Sequence, residues 1–222
     1  MIQAIIYKEW LKLRWPVLIM TGIFILLIVK IALSVAYGMR FYEPNTFWNE
    51  VIMRGYQFYT DIKYVPVLAG IVIAAAQYFP EISANRLKLT LHLPLNENKI
   101  LISMVSFGTV ILLAIFLFSW SLLSVVASFY FPFQVLQSVW FTSLPWFMAG
   151  IIFYWALAMV VIEPVWIRRI IMMIISYGII DALFYGENFN QYQHSWFWFL
   201  LLGSAFSISI LYSAQRFRKG VM

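Results

Sequence analysis

Six apolar runs dominate this chain of 222 residues, at approximately 16–39, 62–80, 100–131, 143–162, 170–185 and 195–214. A run of about 20 apolar residues, rising about 1.5 Å per residue as a helix, crosses a hydrocarbon core of roughly 30 Å. Lipid offers no hydrogen-bond partner to exposed peptide groups, so such runs must satisfy their backbones internally as helices. The expected fold is therefore all-α: a polytopic membrane protein with six transmembrane helices in one transmembrane domain, residues 1–222. Composition agrees, with 64% hydrophobic and only 11% charged residues, against roughly 25% charged in an ordinary soluble domain. The fifth run is short and is expected to stand upright or break near Gly186, whereas the third is long enough to project from the membrane.

Charge sets the expected orientation. Lys8, Lys12 and Arg14 precede the first run; Arg86, Lys88 and Lys99 precede the third; Arg168 and Arg169 precede the fifth; Arg216, Arg218 and Lys219 follow the sixth. The other side holds only Arg40, Arg54 and Lys63. By the positive-inside rule both termini are cytoplasmic, as in a multi-pass protein of the plasma (inner) membrane. The net charge of +6 is thus spent on orientation in the lipid bilayer, and no nucleic-acid partner is expected. Trp10 and Trp15, Trp140 and Trp146, and Trp196 and Trp198 fall near run ends, where indole rings suit the headgroup region.

Residues 1–15 have helical spacing, with Ile2, Ile6, Trp10 and Leu13 on one face and Lys8, Lys12 and Arg14 elsewhere. An amphipathic helix lying on the inner surface is expected there, with Pro16 turning the chain into the first span. The first run exceeds the 7–15 residues of a signal h-region, so the N-terminus is expected to be retained. Pro66, Pro80 and Pro145 read as boundary residues near span ends.

The sequence carries no catalytic signature. It has no G-x-S-x-G, H-E-x-x-H or G-x-x-x-x-G-K-[ST] pattern, no cysteine, and only two histidines, His92 and His194. No activity of its own, cofactor or metal site is expected. Lys30, in the outer half of the first span, reaches the outer headgroups with its long stem. Asp181 lies at a similar depth in the fifth run, so a Lys30–Asp181 intramembrane ion pair is the alternative. Asp61 and Lys63 read as a solvated rim at the mouth of the second span.

The segment between the second and third runs differs from the rest. In "NRLKLTLHLPLNENKI", Leu87, Leu91 and Leu95 form one helical stripe, with Leu89 and Leu93 roughly opposite and Lys88 and His92 between. Two apolar faces on a short basic helix suggest two burial partners. Pro94 ends such a helix, and Asn96 suits the cap of the next.

With its six spans, cytoplasmic termini, amphipathic N-terminal helix and "PEISANRLKLTLHLPLNENKIL", the chain resembles an ABC-2 type transporter permease. Glu81, Leu91, Leu93, Pro94 and Leu95 match that family's pattern of a Glu followed by a leucine-rich turn ending in Leu-Pro; Asn96 and Glu97 depart from its usual Ser-Arg. The resemblance implies that residues 81–99 form a cytoplasmic coupling helix. Glu81, Arg86, Lys88, Leu91, Leu93 and Pro94 would engage a separate cytoplasmic ABC ATPase subunit, which would hold the ATP and Mg. The loop "EPVWIRR", with Glu163, Arg168 and Arg169, would be a secondary cytoplasmic contact. A second permease subunit, identical or different, would complete a dimer. Short outer loops suggest an exporter. The rival readings are a secondary transporter built from two inverted three-span repeats, which usually needs polar groups at the midplane, and an intramembrane enzyme, which lacks its motifs.

Overall fold

The computed structural model describes residues 2–41, 44–83, 97–185 and 195–219. They form seven α-helices: α1 (Ile2–Phe41), α2 (Pro44–Ile52), α3 (Val65–Ser83), α4 (Glu97–Tyr130), α5 (Phe133–Ile162), α6 (Trp166–Phe184) and α7 (Trp196–Lys219). A single 3-10 turn, Thr60–Ile62, precedes α3, and no strand occurs among the described residues. Four helical segments are long and apolar enough to cross a membrane: Gln3–Phe41, Thr60–Ser83, Asn98–Tyr130 and Phe133–Ile162. These correspond to the first four expected spans. In α6, Arg168, Arg169 and Asp181 interrupt the apolar character, and in α7 the apolar stretch shortens to Phe197–Ile210.

The N-terminal segment corrects the sequence reading. Residues 2–15 are helical, but Pro16 does not turn the chain; α1 runs through it without interruption. Proline removes one helical hydrogen bond, a loss that membrane helices tolerate. The phase of the helix also differs from the expected apolar face. Ile5, Glu9 and Leu13 are buried while Ile6 and Trp10 are exposed. Two turns on from Leu13 the stripe resumes at Met20 and continues at three- and four-residue spacing through Phe24, Ile28, Ile31 and Val35. Packing of the span along α3 and α4 therefore dictates which side of the N-terminal turns is buried, and it selects a side that carries Glu9.

Helix α5 is the centre of the bundle, contacting α3, α4, α6 and α7. Its crossing with α3 is close. A Cβ on Gly70 would lie 2.2 Å from the Gly150 carbonyl oxygen, and one on Gly150 would lie 2.4 Å from that of Pro66. Backbone meets backbone there, the close approach that small residues allow between helices in lipid. Around it pack Phe24, Phe116 and Phe147, with ring centroids 5.3–6.3 Å apart. Tryptophans expected at the membrane surface serve two ends. Trp10 and Trp15 are exposed, but Trp146 is buried. Trp140 donates to Ser124 Oγ at 2.7 Å, one of three indole N–H bonds that tie α4 to α5, with Trp120–Ser143 and Trp155–Thr109. Pro145 stands well inside α5 rather than at a boundary.

Candidate functional site

A run of short contacts brings two carboxylates and two ammonium groups together where the first turns of α1 meet the last turns of α3. Lys12 Nζ donates to Glu9 Oε1 at 2.6 Å and to Glu81 Oε1 at 2.8 Å. Lys8 Nζ lies 2.8 Å from the same Glu81 oxygen. Both carboxylate side chains are 1% exposed, against 15% for Lys12 and 38% for Lys8. The group is formally neutral. That balance is what permits the burial, because an unpaired buried charge would be strongly destabilising. Lys8, Glu9 and Lys12 share one face of α1 by their i, i+1, i+4 spacing, and Glu81 faces them because Gln77 and Tyr78, one turn earlier, are buried on the same side of α3.

The cluster continues inward as a neutral hydrogen-bond network. Lys12 Nζ reaches the Gln77 carbonyl oxygen at 3.4 Å. The Gln77 side chain donates through Nε2 to the Met104 carbonyl on α4 at 2.9 Å and accepts at Oε1 from the Tyr154 hydroxyl of α5 at 2.8 Å. Tyr154 and Tyr78 place their hydroxyl oxygens 3.3 Å apart. All three side chains are buried. Gly108 on α4 makes room for them: a Cβ there would sit 2.0 Å from the Tyr154 hydroxyl and 2.5 Å from Gln77 Oε1. Four helices, α1, α3, α4 and α5, thus meet through polar contacts.

Glu81 is accordingly buried, and its ion pairs anchor the end of α3 to α1. Arg86, Lys88, Leu91, Leu93 and Pro94 lie outside the described residues. In the second loop, Glu163 is buried and accepts from Ser213 Oγ of α7 at 2.6 Å. Arg169 donates to the Glu163 carbonyl oxygen at 2.7 Å and lies 4.9 Å over the Trp166 ring. Both residues therefore shape the α5–α6 turn from within. Arg168, with Trp166 and Ile167, remains exposed.

The Lys30–Asp181 pair, the alternative to a Lys30 that reaches the headgroups, does not form. Lys30 Nζ instead lies 2.9 Å from Asp61 Oδ2, joining α1 to the turn before α3. The physical reason is topological: α1 contacts that turn and α3 directly, whereas α6 packs on α5, away from α1. Asp61, taken as rim from the sequence, is thus the acid partner. Lys12 and Lys30 are 18 residues apart on α1, about 27 Å along the axis, so the two α1–α3 ion clusters stand nearly one hydrocarbon thickness apart. Glu9, Gln77 and Tyr154 were not singled out by the sequence reading. The available signal was a carboxylate at i−3 from a lysine beside a membrane span, whose intramembrane counter-charge had to come from a neighbouring helix. No family model, curated protein or solved structure matches the chain.

Proposed function

We propose that this chain is the membrane-spanning permease subunit of an ATP-driven ABC exporter, coupled to a separate cytoplasmic ATPase and paired with a second permease subunit. The observation that carries the reading is the anchoring of Glu81. It is the last buried residue before the leucine-rich segment 84–96, and it is held by Lys8 and Lys12 of α1. Through Gln77 and Tyr154 the same end of α3 is joined to α4 and α5. A push delivered by an ATPase to segment 81–99 would arrive at a point where four helices meet, which is what rocking a bundle between inward and outward access requires. In this reading the Glu81 cluster marks the cytoplasmic surface and Lys30–Asp61 the opposite one, in keeping with the eleven-to-three distribution of basic residues. Helices α6 and α7 serve as the fifth and sixth spans; α6, at 19 residues or about 28 Å, is just long enough. Ile167, Ile170, Ile174 and Tyr177 leave much of its circumference uncovered, a surface for lipid or for the second subunit.

The test is the double change Leu91→Asp and Leu93→Asp. Charging the centre of a docked interface costs more than about 2 kcal/mol, over roughly 30-fold in affinity. The expected result is a stably inserted protein that no longer copurifies with its ATPase partner, nor stimulates that partner's turnover. Retained association and transport would overturn the reading.

A second reading, an ion-coupled secondary transporter, draws on the buried carboxylates Glu9 and Glu81, since buried ionisable groups in membrane proteins mark ion pathways by default. Their position at one end of the helices rather than the midplane favours the first. Transport that follows a proton gradient in proteoliposomes without ATP would reverse that order.

A further inference from the structure

At the end of α1 far from Glu81, the helix, the short α2 and Tyr56 beyond it line an open groove of about 490 Å³, within the range of roughly 300–1,000 Å³ usual for small-molecule sites. Its lining is distinctive in chemistry. Three aromatic rings, Tyr37, Phe47 and Tyr56, share it with one carboxylate, Glu50, and with Gly38; Ser34 and Thr46 complete the rim. The rings of Phe47 and Tyr56 stand edge to face, 6.4 Å between centroids and 70° between planes, so two walls meet at a corner. Tyr37 is held by stacking on Phe41 at 4.3 Å. Gly38 fixes the third dimension. A Cβ there would lie 2.6 Å from Phe47 Cε2, so the ring rests on the bare backbone of α1, and a side chain at that position would drive it into the groove.

We propose that this groove binds a trimethylammonium group, carried either by a free small cation or by a lipid headgroup. Aromatic faces attract a cation through their quadrupole, and a nearby carboxylate adds charge. A quaternary ammonium is bulky, weakly hydrated and unable to donate N–H bonds, which suits a lining of three aromatic rings and one carboxylate. Sodium or a primary ammonium would forfeit more hydration than the rings return. Glu50 is paired with Arg54, four residues on and just beyond the end of α2, but that pair is exposed, with Arg54 at 77%. Exposed i,i+4 pairs are among the weakest ion pairs, and Arg54 has open solvent into which to withdraw. Tyr37 and Tyr56 are both half exposed, leaving an entrance. The alternative, an aromatic cluster that merely closes the loop, predicts no preference among cations. The proposal is independent of the transport reading.

The full chain, purified in a non-ionic detergent, would be titrated calorimetrically with choline, tetramethylammonium, ethanolamine and sodium chlorides. In parallel, nanodiscs of mixed phosphatidylcholine and phosphatidylglycerol would be dissolved and the retained lipid identified by native mass spectrometry. Saturable choline and tetramethylammonium binding, at least about tenfold tighter than ethanolamine, assigns the free cation. Selective retention of phosphatidylcholine without free-choline binding assigns the lipid headgroup. In either case Tyr56→Leu should weaken the signal on the order of fivefold and Glu50→Gln comparably. Both side chains are surface-accessible, so the variants should fold, and an unchanged unfolding transition verifies it. No discrimination in either arm, or discrimination that both variants leave intact, overturns the proposal.

Discussion

Helix α1 is fastened by lysine and carboxylate to the end of α3 and to the turn that precedes α3, yet the two fastenings differ in nearly every physical respect. At the Glu81 end, one buried oxygen is shared by two ammonium groups, and a second carboxylate, Glu9, completes a neutral set. At the Asp61 end, one pair meets at 2.9 Å with side chains 64% and 42% exposed. The attraction between opposite charges is the same in kind. What differs is the alternative available when a partner is removed: water can serve Asp61 or Lys30, whereas Glu81 has only protein around it. The buried cluster therefore demands its partners, and the exposed pair merely uses one.

The largest expected effect comes from Glu81→Ala. It leaves Lys12 with Glu9 alone and removes the counter-charge of Lys8, and breaking a buried pair by deleting one member costs about 3–5 kcal/mol. Unfolding in detergent, followed by circular dichroism, should show a loss of that size. If the loss matches that of an exposed pair, water reaches the cluster and the contrast drawn here fails. Glu81→Gln should recover part of the loss, because the amide still accepts a hydrogen bond.

Next in size comes Gly108→Val. The new side chain would occupy the space of the Tyr154 hydroxyl and Gln77 Oε1, and overpacking of this sort costs about 1–3 kcal/mol. A smaller change, Tyr154→Phe, removes the donor to Gln77 without adding volume. Interhelical hydrogen bonds in membrane proteins average about 0.6 kcal/mol, so the loss should be a fraction of that for Gly108→Val. A double-mutant cycle of Tyr154→Phe with Glu81→Ala measures whether the network joins the ion cluster energetically; strict additivity would show two independent features.

The sequence made one part of this fold plain and concealed another. Apolar runs have a physical reason to be helices, and four of them emerge as membrane-length helices near their expected places. Run ends were less legible because apolarity does not mark where a helix stops; α5 begins ten residues before its apolar run, at Phe133. Pro16 and Pro145 misled because tertiary packing holds a helix together across a proline that would end an isolated one. The cluster was half visible. Glu81, Lys8 and Lys12 were each noted, but as surface charges, since nothing in a linear pattern says that α3 returns to the first turns of α1. Lys30 shows the same limit: the sequence matched its depth to Asp181 and left Asp61 at the rim, whereas the structure sets Lys30 against Asp61. Contact between α1 and the turn before α3 makes that choice.

The smallest expected effect tests the exposed end. Asp61→Asn removes the charge that faces Lys30 while keeping the side chain's shape. An exposed ion pair contributes about 0–1 kcal/mol, and Lys30 retains a way out, since its long stem can carry the ammonium to the water-facing surface. Unfolding stability should therefore change by less than about 1 kcal/mol, and the difference from the parent protein should shrink as salt is raised, because exposed charges are screened within about 10 Å at 0.1 M ionic strength. The same salt series on Glu81→Ala should leave its deficit nearly unchanged, since its carboxylate is shielded from mobile ions. A salt-insensitive loss of several kcal/mol for Asp61→Asn would mean that lipid or protein closes over Lys30 in the membrane, and that both ends of the α1–α3 pair obey the rule of the buried one.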